Sequence, residues 1–347
     1  MNSHKPQLLV IVAALITLLI TTGCANVQPV AAESPAGAQA NAAPAADPVD
    51  APEVNAATEA SPVGFENVVV STEWLAENLD NPAVRVIEVS VIPGVYERGH
   101  IPGAVNFVWH TDFVDTISRD IVSATRLQEL ARDAGINDDS TVVLYGDNNN
   151  WFAAWGAWVF KLYGAPDVRI LDGGRAKWEA EGRELAVAAP TVEPGDFTAS
   201  GANANLRAHL ADVRQIVEGD VDAALIDIRS PAEYEGTIFA PEGFQELAVR
   251  AGHIPTAVNV PWAQAVNEDG SFKSVEELRD LYASVGVDGS RPVVVYCRIG
   301  ERASHTWFVL SQILGYDAKL YDGSWTEWGN TVGVPIENPA GTIWGAQ

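Results

Sequence analysis

The chain has 347 residues, 47% of them hydrophobic and 19% charged, with a formal net charge of -25. That length suits two domains rather than one, and so acidic a surface repels nucleic acid, which is therefore set aside as a partner. Only two cysteines occur, Cys24 and Cys297. They are too few for a disulfide framework, so the fold has to rest on its hydrophobic core.

The first 24 residues read as Lys5 in a short polar start, the apolar run LLVIVAALITLLI at residues 8–20, and then TTGC. The run is shorter than the roughly 20 residues a membrane-spanning helix needs and has the length of a secretory h-region. It resembles a bacterial lipoprotein signal, which implies that Cys24 is lipidated and becomes the mature N-terminus; ordinary cleavage, an uncleaved anchor or a structural cysteine are the alternatives. Thr21 departs from that pattern, standing where an aliphatic residue is usual. Residues 25–62 are rich in Ala, Pro, Glu and Asp and nearly devoid of aromatics. Such a stretch buries too little apolar surface to offset its ordering entropy, so a disordered tether is expected there. Together these features predict an exported protein, lipid-anchored on the outer face of a bacterial membrane.

The remaining chain repeats itself. VRVIEVS, GHIPGAVNF, TVVLYGD and VRILDGGRAKW occur in the same order as ALIDIRS, GHIPTAVNV, PVVVYCR and AKLYDGSWTEW, and Trp178 and Trp328 stand 150 positions apart. The period is far too long for a solenoid, and duplication of a domain explains it. The copies are placed at 63–190 and 205–340, with a turn-rich boundary at about 185–205. Within each, Val/Ile/Leu-rich runs alternate with amphipathic segments, which predicts an α/β fold with a parallel sheet covered on both faces. SVEELRDLYASVG has helical spacing at Val275, Leu278, Leu281 and Tyr282, with Ser274 as its N-cap and Gly286 near its end. His100 and His253 occupy the same place in both copies, which points to turn residues rather than catalysts. Trp178 and Trp328 are read as core anchors.

Chemistry concentrates at Cys297. It ends the buried strand PVVVY and opens CRIGERA, which leads into the helical SHTWFVLSQILG. In open α/β sheets, ligands bind beyond the carboxyl ends of the strands. The backbone N–H groups from Arg298 through Ile299, Gly300, Glu301 and Ala303 are expected to converge on the sulfur, with Gly300 permitting the tight path. Arg298 and Arg302 add two cations. All of this predicts a lowered thiol pKa and a reactive thiolate.

With these motifs in hand, both halves resemble rhodanese domains over about residues 62–340. CRIGER is similar to the Cys-Arg-x-Gly loop of thiosulfate sulfurtransferases. Mercaptopyruvate-specific relatives tend to carry Gly and a small hydroxyl residue after the Cys. Ile299 and Arg302 depart from the thiosulfate pattern, which has Lys and Thr there. Phosphatase relatives place an Arg six positions after the Cys, where this chain has Ala303. The resemblance implies two-step sulfur transfer. Cys297 takes sulfur from thiosulfate and passes it to cyanide, a thiol or another thiophilic acceptor, while Arg298 and Arg302 bind the sulfonate. The transfer needs no metal or organic cofactor, and a monomer is expected. The first half has Gly146 or Asp147 opposite Cys297, so it is expected to be inert and to line the cleft with Trp151 and Phe152. The family's substrate arginine falls at Ala176, which makes the adjacent Arg175 the candidate cation. A mercaptopyruvate sulfurtransferase and a non-catalytic sulfur carrier are the alternative readings.

Overall fold

A computed structural model describes residues 64–245 and 247–344. The signal-like segment, Cys24 and the Ala/Pro-rich stretch lie outside the described residues. Among the described residues, no helix is long and apolar enough to cross a membrane.

Short apolar runs become buried strands in two all-parallel sheets. The first holds β1 (Val69–Val70), β2 (Val84–Glu88), β3 (Val105–Asn106), β4 (Thr141–Tyr145) and β5 (Asp167–Leu171), in the order β1-β5-β4-β2-β3. The second holds β6 (Ala224–Asp227), β7 (Val258–Asn259), β8 (Val293–Tyr296) and β9 (Ala318–Leu320), in the order β7-β6-β8-β9. Every residue of β6 and β8 is buried, as expected of parallel strands covered on both faces. In the second sheet a single bridge between Arg207 and Leu320 stands where the first has β1.

The helix Val275–Ala283 forms as its spacing predicts. Ser274 Oγ accepts the N–H of Glu277 and donates to its carboxylate, closing a capping box, while Leu278 and Tyr282 face inward. The two GHIP turns are built alike. His100 and His253 stack on Tyr96 and Tyr234, and each ring nitrogen Nδ1 bonds the carbonyl of that tyrosine. Trp178 and Trp328 are buried, with their indole N–H groups on the carbonyls of Glu184 and Pro335.

One hydrophobic core runs through both copies, from Ile87 and Leu144 to Val295 and Cys297. Two helices meet at its centre: Trp151–Leu162 of the first half and Glu301–Trp307 of the second. All seven residues of the latter are buried. Helical structure therefore begins at Glu301, three residues before the predicted start, and runs on through a wider π-type turn to Ile313.

Candidate active site

Strand pairing fixes which residue of the first half matches Cys297. Tyr145 lies opposite Glu88 and Tyr296 opposite Asp227, so the next residues, Gly146 and Cys297, correspond, and Asp147 does not. A Cβ at Gly146 would stand 2.2 Å from the carbonyl oxygen of Val89. The first half has thus closed over the position and has no room for any side chain there. The Asp147 carboxylate accepts N–H bonds from Val91 and Ile92 beside it.

Cys297 is fully buried and is a free thiol. Its N–H donates to Ser324 Oγ at 3.1 Å, and its carbonyl accepts from Trp325 N at 3.1 Å. Thr326 holds the carbonyl of Arg298 through both its N–H and its hydroxyl. The DGSW segment therefore clamps the cysteine loop from below. Gly300 has φ +102, and a Cβ there would press on Trp155 at 2.7 Å and on the Asp322 carbonyl at 2.9 Å. A side chain would be strained and crowded, so the loop needs glycine.

The sulfur accepts the N–H of Gly300 at 3.1 Å and receives a second backbone N–H from Ala303. The predicted cradle thus reduces to two donors. The predicted drop in thiol pKa does not occur. Burial and the negative charge of Glu301 push the thiol up to about 11, outweighing the opposing pull of Arg302 and the two N–H groups. Desolvation disfavours the charged form, and Trp155 of the first half packs against the same loop at Gly300. The sequence places an apolar wall of the first half here, but at Trp151 and Phe152 rather than Trp155, and gives no sign that it outweighs the local cations. At rest the group is a thiol.

Glu301 also faces the sulfur through its side chain. Its Oε2 lies 3.6 Å from Sγ, and burial raises the carboxyl above its usual pKa. From the sequence it is expected only as a backbone donor.

The three candidate arginines are all engaged. Arg302 pairs with buried Glu233 at 3.0 and 3.3 Å, and its Nε is 3.9 Å from Glu301. Arg298 donates to the Gln245 carbonyl at 2.7 Å and lies 5.2 Å over the Phe244 ring, leaving its Nε buried without a partner. Arg175 departs furthest from its expected role. It bonds Glu88 at 2.8 Å, Glu179 at 2.8 Å and the Gly99 carbonyl. In the second half the same duty falls to Arg229, which bonds Asp227 and the Gly252 carbonyl. Arg175 N donates to the Gly146 carbonyl as Trp325 N does to that of Cys297, so Arg175 and Trp325 correspond, and the Arg229 guanidinium stacks 4.7 Å from the Trp325 ring. The copies deliver one guanidinium to one place from two different positions. Arg175 and Ala176 line a separate cavity with Asp147.

A cavity of about 170 Å³ opens beside Ile299, lined by Trp109 and Trp155 of the first half and by Gly323 of the second. Trp155, rather than the expected Trp151 and Phe152, covers the loop. Trp151 packs on Trp262, and Phe152 lies behind Trp109. Arg119 also lines this cavity; it is exposed, and among the described residues its side chain makes no hydrogen bond or ion pair. Asp120 and Asp322, at the same mouth, are both bound by Arg207 at 2.7 Å. Arg119 went unnoticed because only the fold carries its loop across to the second half.

The structure is a doubled parallel α/β unit, with one copy closed and the other holding a buried thiol in a strand-to-helix loop. The Rhodanese-like domain family matches residues 71–181 and again 209–331, and the chain belongs to that family. It is 51% identical to "Sulfur carrier protein TtuD" of Thermus thermophilus, over 77% of this chain and 95% of the relative. It is 49% identical to a protein of Saccharopolyspora erythraea named "Putative thiosulfate sulfurtransferase", over 78% and 96%. Among solved structures, the 3-mercaptopyruvate sulfotransferase SseA of Escherichia coli matches with a TM-score of 0.63 and 29% identity, over 74% of this chain and 98% of that one.

Proposed function

We propose that this protein moves sulfane sulfur from thiosulfate to a thiophilic acceptor through a persulfide on Cys297. The observation that carries the reading is the cysteine loop, where a buried thiol takes the Gly300 N–H at 3.1 Å and Arg298 follows it directly. The Cys297 thiolate attacks the outer sulfur of thiosulfate and a new S–S bond forms. The sulfur–sulfur bond of the donor breaks, and sulfite leaves with the electron pair. The acceptor, as cyanide or a thiolate, then attacks the terminal sulfur and releases Cys297. The donor enters through the cavity beside Ile299, where Arg119 meets its sulfonate. The N–H groups of Gly300 and Ala303 hold the anionic sulfur.

Arg298 after the cysteine supports thiosulfate over mercaptopyruvate, and so does the name of the Saccharopolyspora relative. Sulfur carriage to a protein acceptor is the second reading, favoured by the name of the Thermus relative, and it uses the same persulfide. Turnover with thiosulfate and with 3-mercaptopyruvate, measured side by side with cyanide as acceptor, tests the proposal. Faster turnover with thiosulfate is expected, and preference for mercaptopyruvate overturns the donor assignment. The reading also places the enzyme outside the cytoplasm on a Cys24 lipid, so Cys24→Ala is expected to release it from the membrane fraction or block its maturation.

A further inference from the structure

We infer that Glu301 is the proton acceptor for Cys297, a catalytic residue that the loop motif alone does not assign. The inference rests on the sulfur-transfer reading. The resting thiol has to lose a proton before it can attack, and the described carboxylate within reach is Glu301, with Oε2 3.6 Å from Sγ. Both side chains are buried, which brings the carboxylate rather than bulk solvent against the thiol.

The surroundings of Glu301 leave it suited to this task. Its nearest cation is Arg302, with Nε at 3.9 Å, and the terminal nitrogens of Arg302 are committed to Glu233. Arg298 acts on Glu301 only at longer range. Holding a buried carboxylate with so little compensation is costly, and a neutral amide fits a purely structural role better. The first half contains that amide. Asn150 stands four residues after Gly146, as Glu301 stands four after Cys297, and its side-chain oxygen accepts the Gly146 N–H at 3.0 Å. Where no thiol exists the reaching side chain cannot titrate, and where the thiol exists it can.

The step balances without an oxidant or a cofactor. The Sγ–H bond breaks, the proton moves to Glu301 Oε2, and the electron pair stays on sulfur. The pair keeps one negative charge throughout, so the buried pocket gains no charge. Arg302 and the N–H groups of Gly300 and Ala303 now face the thiolate. The carboxylic acid donates its hydrogen bond to the sulfur while the donor is attacked. When the acceptor removes the sulfur, Cys297 leaves as a thiolate and recovers the proton.

Glu301→Gln separates this role from simple repulsion. If Glu301 only repels the thiolate, its neutral replacement lowers the thiol pKa and speeds sulfur loading at neutral pH. If Glu301 takes the proton, the Gln variant loads more slowly. General-base help is worth roughly 10²–10⁴-fold, so a loss of at least about tenfold is expected near pH 7. Loading from thiosulfate is followed by intact mass in single turnovers from about pH 6 to about pH 10, where a thiol without a base gains about tenfold per pH unit. The wild-type rate should level off well below the thiol's own pKa, the Gln rate should climb with that slope, and Glu301→Asp should restore part of the loss. The wild-type profile alone decides the matter if the Gln variant does not fold, because a steady climb toward the thiol pKa rules out the base. Wild type that loads no sulfur refutes the sulfur-transfer reading and takes this inference with it. Wild type that loads while Glu301→Gln loads as fast or faster overturns the inference and leaves that reading standing.

Discussion

Replacing Arg302 with Met should unfold the protein more readily before it says anything about catalysis. Arg302 and Glu233 are both buried, 3.0 Å apart, and Glu233 also accepts the N–H and hydroxyl of Ser230. Removing the guanidinium leaves that buried carboxylate with the Ser230 bonds and the more distant Arg229 but no ion-pair partner, which costs about 3 kcal/mol. For a chain of this size that corresponds to a fall in Tm of roughly 5 °C. Arg302→Met with Glu233→Gln removes both charges and keeps an oxygen for Ser230, so most of the lost stability should return. Urea unfolding of wild type, both single variants and the double variant provides the cycle. A cost below about 1 kcal/mol for Arg302→Met, or no recovery in the double variant, would show that Arg302 is not tied to Glu233 and is free to meet the substrate.

His305 predicts an acid-side loss of stability. It is buried against Trp262 and Phe272, and burial depresses its pKa to about 4 from 6.5. The unfolded chain therefore binds the extra proton first, and stability present above about pH 6.5 is lost as pH falls toward 4, by about 3 kcal/mol in all. The stability of wild type relative to His305→Leu should drop by that amount over this window, and a constant difference would remove the cause. Arg119→Ala should raise KM for thiosulfate about tenfold with little change in kcat, since a charge-assisted contact is worth about 1.5–3 kcal/mol. Equal KM values for the two proteins would place the donor elsewhere.

The duplicated sheets, the Ser274 cap, the tryptophan anchors and the strand-to-helix loop at Cys297 were legible because each depends on residues close together in the chain. What the sequence concealed depends on distant partners. Arg302 finds Glu233 across 69 positions, Arg298 finds the Gln245 carbonyl across 53, and Arg175 finds Glu88 across 87. A basic loop read alone looks free to bind an anion. The thiol pKa reversed direction for a related reason: the loop amides and arginines are local, while the burial that outweighs them is set by the packed fold, in which Trp155, 142 positions upstream of the cysteine, lies against Gly300 of the loop. The exchange between Arg175 and Arg229 was visible in principle, because aligning the copies sets Ser90 against Arg229 and Arg175 against Trp325. One copy lacks the arginine exactly where the other has it.

Intact mass after brief treatment with thiosulfate shows whether Cys297 carries the sulfur. Wild type should gain about 32 Da, one sulfur atom, cyanide should remove it, and Cys297→Ser should stay unchanged while keeping its fold. Sulfur carried equally by Cys297→Ser, or by neither protein, would contradict a persulfide on Cys297.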